Sequence, residues 1–348
     1  FIIELSFKKM INLSISLIIS FFLIYFCNKY QYLSNFTGST HQSFINKKNV
    51  KLLGGFIIIF FSIITFSNTF FLLKIFLFLF FLVGLLSDLK MLNSPKLRFF
   101  IQIIIIIIGI FILQISIVET KILFLNELIN KNELINILLL SFCFLIIING
   151  TNFIDGTNTI VIGYYLIILL LLLNLSIIKS GLLIDLENNY FFVILIFLFL
   201  LNFLNKIFLG DSGAYLISFL FCFLLLEIHM KNPQISPYFI ILLLWYPGFE
   251  NLFSIIRKQK FKRSALKPDT DHLHQLIFFY LKKKNFLKKK FLSSFTGLII
   301  NIYNLIIFMI ACVNPYNTIL QLSLIFSSVL IYITLYLLLS NFKMNQKK

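Results

Sequence analysis

The sequence predicts an all-α, polytopic integral membrane protein of about 11 transmembrane helices, with 10 as the alternative count. Three observations carry this. Hydrophobic residues make up 59% of the 348 and charged residues only 12%. At least ten apolar runs are 15 to 22 residues long, the length that crosses ~30 Å of hydrocarbon as helix. The runs are unbroken, whereas a membrane barrel shows alternating segments of about ten residues.

In chain order the spans cover 11–27, 52–67, 69–86, 99–118, 134–149, 160–178, 190–205, 214–228, 238–256, 292–312 and 317–341. The first lacks a small-residue cleavage site and reads as a span rather than a signal peptide. In the fifth, "LINILLLSFCFLIII", only Asn136, Ser141 and Cys143 carry polarity. Long loops are few, so residues 1–348 read as one transmembrane domain with a basic loop at 257–291. Cys27, Cys143, Cys222 and Cys312 lie in apolar runs without CxxC pairing, which argues against a disulfide framework and against zinc. Sequons such as Asn35-Phe36-Thr37 are expected by chance in so Asn-rich a chain.

A net charge of +17 suggests nucleic acid until its distribution is considered. The odd-numbered loops carry 20 of the 30 Lys and Arg, and the even-numbered loops carry four, namely Lys121, Lys131, Lys179 and Lys231. By the positive-inside rule the odd loops, and the carboxyl terminus with Lys343, Lys347 and Lys348, are cytoplasmic. Most lysines of the 257–291 loop read as topology signal and attraction to anionic headgroups, with a minority left for a polyphosphate substrate. Nucleic acid is therefore excluded as a partner and the bilayer included.

The remaining polar segments all fall on that same side. They are "GLLSDLKMLNSPKLRFFIQ" (84–102), "NGTNFIDGTNT" (149–159), "FLGDSGA" (208–214) and "KPDTDHLHQL" (267–276). Asp88, Asp155 and Asp211 each sit near a span's end, where a carboxylate needs water or a cation. Three acids converging at one surface suggest a divalent metal. Each segment also has a plainer reading. "GDSG" alone is a tight turn, and "NGTNFIDG" is a helix terminator with left-handed turn geometry. If instead helical, Asn149, Asn152 and Asp155 lie along one stripe. His272 and His274, at i and i+2, share no helical face but point the same way on an extended segment. "SPKLR" (94–98) reads by default as a juxtamembrane anchor.

In this order and spacing the segments resemble those of the polyprenyl-phosphate N-acetylhexosamine-1-phosphate transferases, from "KKNVKLLGG" (47–55) to "DHLHQL". That family has an antigen- and teichoic-acid-initiating branch (WecA/TagO-type) and an MraY branch. "DHLHQL" is similar to the His-x-His-His loop of the first rather than the triple histidine of MraY. The resemblance implies transfer of a HexNAc 1-phosphate, GlcNAc foremost, from a UDP-sugar to undecaprenyl phosphate, releasing UMP and starting cell-envelope glycan or O-antigen synthesis. It implies a bacterial cytoplasmic membrane, an active site on the cytoplasmic face, and Mg²⁺ or Mn²⁺, with homodimerisation left open. By motif it assigns catalysis to Asp88, Asp211, His272 and His274, and the metal to Asp211 and Asp88. Lys51, Lys96, Arg98, Asn149, Asn152, Asp155 and Gly210 fall to substrate binding.

Three positions depart from the family pattern. Ser87 stands where an aspartate pair begins, Gln275 replaces a histidine, and Asn158 replaces the last acid of the nucleotide motif. The alternatives are an MraY-type phospho-MurNAc-pentapeptide translocase, an inactive relative, and a membrane transporter. A transporter's site lies near the bilayer midplane, whereas these acids lie at one surface.

Overall fold

The computed structural model describes residues 2–35, 50–175, 178, 180–260, 262, 270–285, 288 and 290–346, with side chains from residue 9 onward. The sequence features at 36–49, Lys179, 263–269, Lys347 and Lys348 lie outside the described residues. Within them the chain forms fifteen helices and one two-stranded sheet. The elements run α1 (Ile2–Tyr30), β1 (Lys51–Leu52), α2 (Gly54–Thr65), α3 (Phe71–Asp88), α4 (Pro95–Leu113), α5 (Leu123–Lys131), α6 (Glu133–Ile154) and α7 (Ile160–Asn174). They continue α8 (Gly181–Asn188), α9 (Phe191–Phe203), β2 (Ile207–Phe208), α10 (Gly210–Lys231), α11 (Pro237–Leu243), α12 (Trp245–Lys260), α13 (Leu273–Lys284), α14 (Leu292–Val313) and α15 (Thr318–Asn345).

Each of the apolar runs contains helix, and the protein is all-α as its sequence predicts. The span count is lower. Among the described residues seven helices are long and apolar enough to cross a membrane, nine if each of two bent pairs is one span. The pairs are α8–α9, bent by 65°, and α11–α12, bent by 72°. Left-handed Tyr190 separates the first pair. In the second, Pro247 sits in the first turn of α12, where its missing amide leaves no bond unmade. The other two runs give α2 and α7, of 12 and 15 residues. At ~1.5 Å per residue they reach ~18 and ~22 Å, short of the hydrocarbon thickness. β1 delays the start of α2, and α7 begins at Ile160 as expected but ends at Asn174.

The axis of the fold is α10. Of its most apolar stretch 78% is buried inside the protein, against 17% for α1 and 11% for α15, which face outward. Helices α2, α3 and α6 pack around it. A Cβ on Gly84 of α3 would collide with the Ser212 backbone, so glycine is what lets α3 and α10 approach this closely. β1 and β2 pair in parallel, Lys51 opposite Ile207 and Leu52 opposite Phe208. Gly55 N–H then donates to Leu209 O at 3.3 Å. This small sheet, absent from the sequence expectation, sets the N-termini of α2 and α10 side by side at one end of the bundle.

Candidate functional site

The N-terminus of α10 is the centre of this end. Gly210 opens the helix at φ +76°, and a Cβ there would come within 2.8 Å of Asp88 Oδ2. The first amides of a helix have no partner within it, and here the last residue of α3 supplies one. Asp88 Oδ1 accepts from Asp211 N at 2.9 Å, and Oδ2 accepts from Ser212 N at 3.1 Å and Ser212 Oγ at 2.8 Å. A carboxylate at this pole of the helix dipole is favoured electrostatically as well.

Asp211, in the first turn of α10, faces three other elements. Its Oδ1 accepts from Asn152 Nδ2 at 2.6 Å; its Oδ2 accepts from Ser87 Oγ at 2.5 Å and from Arg98 Nη1 at 2.9 Å. Arg98 also donates to Ser87 Oγ. The Arg98 and Asp211 side chains are 22% and 30% exposed, so the pair is open to solvent. Ser87 therefore bridges the cation and the acid. Asp155, at the end of α6, lies beside the Gly210 amide. Burial, then the charges of Asp211 and Asp88 beside it, push the Asp155 carboxyl well above the usual carboxylate range.

Asn152 and Asp155 reach this cluster because α6 does not end at residue 149. It continues to Ile154, which places Asn149, Asn152 and Asp155 on one stripe. The loop proper is 155–159. Asn149 points to α4 instead, its Nδ2 donating to Gln102 Oε1 at 3.0 Å, an interhelical contact. Asn158, one of the family departures, is a structural tie. Its side chain donates to Asn202 O and Asn205 Oδ1, both at 2.9 Å, and its amide donates to Ser293 Oγ at 3.0 Å.

The histidines sit on the other flank of the same helix end. His272 is the extended residue before α13 and His274 lies in its first turn, yet their rings stack 5.7 Å apart at 17°. His272 N–H donates to Gln275 Oε1 at 3.2 Å, so Gln275 closes the helix start rather than supplying a third imidazole. His272 Nδ1 lies 2.9 Å from Glu250 Oε1, and Glu250 Oε2 accepts from Tyr332 OH at 2.6 Å. Phe153, next to Asn152, packs on His272 at 5.6 Å, and His274 Nε2 lies so close to Gly156 that a Cβ there would collide with it. The end of α6 is thus wedged between the acids and the histidines.

Other residues named from the sequence are placed differently. Lys51 is buried, and its ammonium donates to Gln31 Oε1 at 2.9 Å and Ser34 Oγ at 2.5 Å, anchoring β1 to the end of α1. Lys96 is exposed in the first turn of α4. Among the described residues no three or more His, Cys, Asp or Glu side chains form a group that could hold a metal ion. In this arrangement Asp88 bonds α10 through both oxygens, and Asp211 bonds Asn152, Ser87 and Arg98. Glu250 was not singled out in the sequence. Its signal is a lone carboxylate inside an apolar run, which in a membrane protein marks a buried partner.

Residues 69–229, which are 161 of the 348, match the model of glycosyl transferase family 4. The match supports a glycosyltransferase that moves a sugar phosphate onto a polyprenyl phosphate, as a general class. It spans every acid of the α10 cluster together with Ser87, Arg98, Asn149 and Asn152, and stops before Glu250 and the histidines. No curated protein matches the chain significantly.

Proposed function

We propose that this chain transfers an N-acetylhexosamine 1-phosphate, GlcNAc 1-phosphate first among candidates, from its UDP-sugar to undecaprenyl phosphate, releasing UMP at the cytoplasmic face of a bacterial membrane. One observation carries the reading. Three aspartates and an arginine, drawn from segments far apart in sequence, meet around the N-terminus of α10, with two histidines against the other side of the α6 end. That is an arrangement for phosphates next to hydrocarbon. The "DHLHQL" segment favours the antigen- and teichoic-acid-initiating branch over MraY.

In this reaction an oxygen of the lipid phosphate bonds to the sugar-bearing phosphorus of the UDP-sugar. The bridging P–O bond breaks, and UMP leaves with the electron pair. The attacking phosphate has its second pKa near ~6 and is mostly a dianion at neutral pH, so alignment and charge neutralisation matter more than a general base. Arg98 leaves Ser87 and Asp211 to meet phosphate oxygens, and His272 and His274 donate from the opposite flank. Asn152 and Asp155 hydrogen-bond the uridine or ribose.

Magnesium suits this donor set. It commonly uses one or two carboxylates and takes its other ligands from substrate phosphates and water, so no ready-made protein cage is required. Asp211, with Asp155 crowded against it, would hold the ion, and Asp88 would keep α10 in place behind them. When bound, the ion supplies neutralisation of the pyrophosphate charge.

Membranes containing the protein, given UDP-GlcNAc, Mg²⁺ and undecaprenyl phosphate, should release UMP. Absence of UMP with this sugar and with other UDP-N-acetylhexosamines would remove the reading, and net uptake of a solute instead would favour a transporter. Sidedness has its own test. A cysteine at Ser264, outside the described residues, should resist a membrane-impermeant maleimide in intact cells.

A further inference from the structure

Glu250 is fully buried in α12, and a buried carboxylate persists only with partners for both oxygens. It has two of different kinds, His272 Nδ1 on Oε1 and the Tyr332 hydroxyl on Oε2. A phenol donates to a carboxylate, and so does an imidazole N–H, which puts the ring proton on Nδ1. Nε2 then lies on the opposite edge of a ring already flanked by His274 and Phe153. The backbone leading into this ring is held as tightly. Lys343 Nζ donates to Thr270 O and Asp271 Oδ1, both at 2.8 Å, and Arg257 donates to Asp271 O.

We infer that Glu250, completed by Tyr332, is a positioning residue that fixes the His272 ring with Nδ1–H on the carboxylate, so that the doubly protonated ring presents Nε2–H to a phosphate oxygen of the substrate. The identity of that substrate rests on the reading above; the fixed ring does not. This assigns a role to a carboxylate that takes no part in the α10 cluster and lies outside the matched segment. Holding one ring orientation, with Nδ1–H on a carboxylate, fits the common use of a second group to orient a functional histidine.

Two measurements test it. The protein has four histidines, so ¹⁵N-histidine spectra in proteoliposomes are tractable, with the His272 signals identified by their loss in His272→Gln. Wild-type His272 should show a protonated Nδ1; a bare Nδ1 overturns the inference whatever the activity. The second is a double-mutant cycle on UMP release. Glu250→Gln alone should lower kcat roughly 10–100-fold with KM nearly unchanged, and Glu250→Asp should restore part of the loss. On a His272→Gln background the same change should cost less than about threefold, because its effect passes through that ring. Full additivity of the two losses, or a Glu250→Gln enzyme as active as wild type, overturns the inference. A protonated Nδ1 in a protein that releases no UMP would remove the proposed reaction and leave the fixed ring standing.

Discussion

The two flanks of the α6 end solve opposite problems. On one, Asp88, Asp155 and Asp211 crowd together and Arg98 is the cation hydrogen-bonded to Asp211. On the other, Glu250 is buried with its donors arranged around it, and the histidines stack against the helix. The acidic flank is assembled from helix ends that carry excess negative charge, so its behaviour should follow charge. The histidine flank is built on a buried carboxylate with a partner on each oxygen, so its behaviour should follow geometry. The family match divides them the same way, covering the acids and stopping short of the histidines.

The sharpest way to break this contrast is Asp211→Asn, which removes charge and leaves shape. UMP release should fall at least ~100-fold, or ~2.7 kcal/mol of barrier, with helix content unchanged. Mg²⁺ at ~100 times its Kd should stabilise the wild type by ~2.7 kcal/mol. It should do nothing for Asp211→Asn and the usual amount for His272→Gln. Equal Mg²⁺ responses in the two variants would erase the distinction between the flanks.

Asp88→Asn should differ from Asp211→Asn in kind. Asp88 caps α10 through two amides and a hydroxyl, so its loss should lower thermal stability by ~1–2 kcal/mol in addition to lowering activity. A variant that loses activity with an unchanged melting curve would make Asp88 a direct participant in the reaction. The smallest effect belongs to Ser87→Ala, which deletes one bridge between Arg98 and Asp211. Turnover should stay within about threefold, ~0.7 kcal/mol. A rise of orders of magnitude in Ser87→Asp would show that the missing aspartate, and not charge neutralisation, limits the reaction.

The apolar runs were legible because their length has only one stable solution in hydrocarbon. Their ends were less so. The run 134–149 looks finished at Asn149, but α6 continues to Ile154, more than a turn further, because Asn149 and Asn152 find partners on α4 and α10. Such partners have no trace in a local pattern. The nine-residue α5 is too short to read from periodicity, and α13 hides among lysines. Within the site, Asp88, Asp211, Asn152, Asp155 and Arg98 were legible because order and spacing brought them forward. Lys51 was named with them from its neighbours in sequence, whereas Gln31 and Ser34 decide where its ammonium goes. Glu250 was passed over because a single acid in "GFENLF" belongs to no motif, although a lone carboxylate in an apolar run is itself a signal.

The grip of α15 on the histidine flank also sets a schedule. Tyr332 and Lys343, which hold Glu250 and Asp271, leave the ribosome after every residue they restrain. A nascent chain therefore completes its acidic flank first, while His272 still lacks its outer brace. On the proposed reading the growing enzyme can gather nucleotide and cation before it can turn over. Lateral docking of α15 against α12 and α13 in the bilayer is then the event that makes it competent.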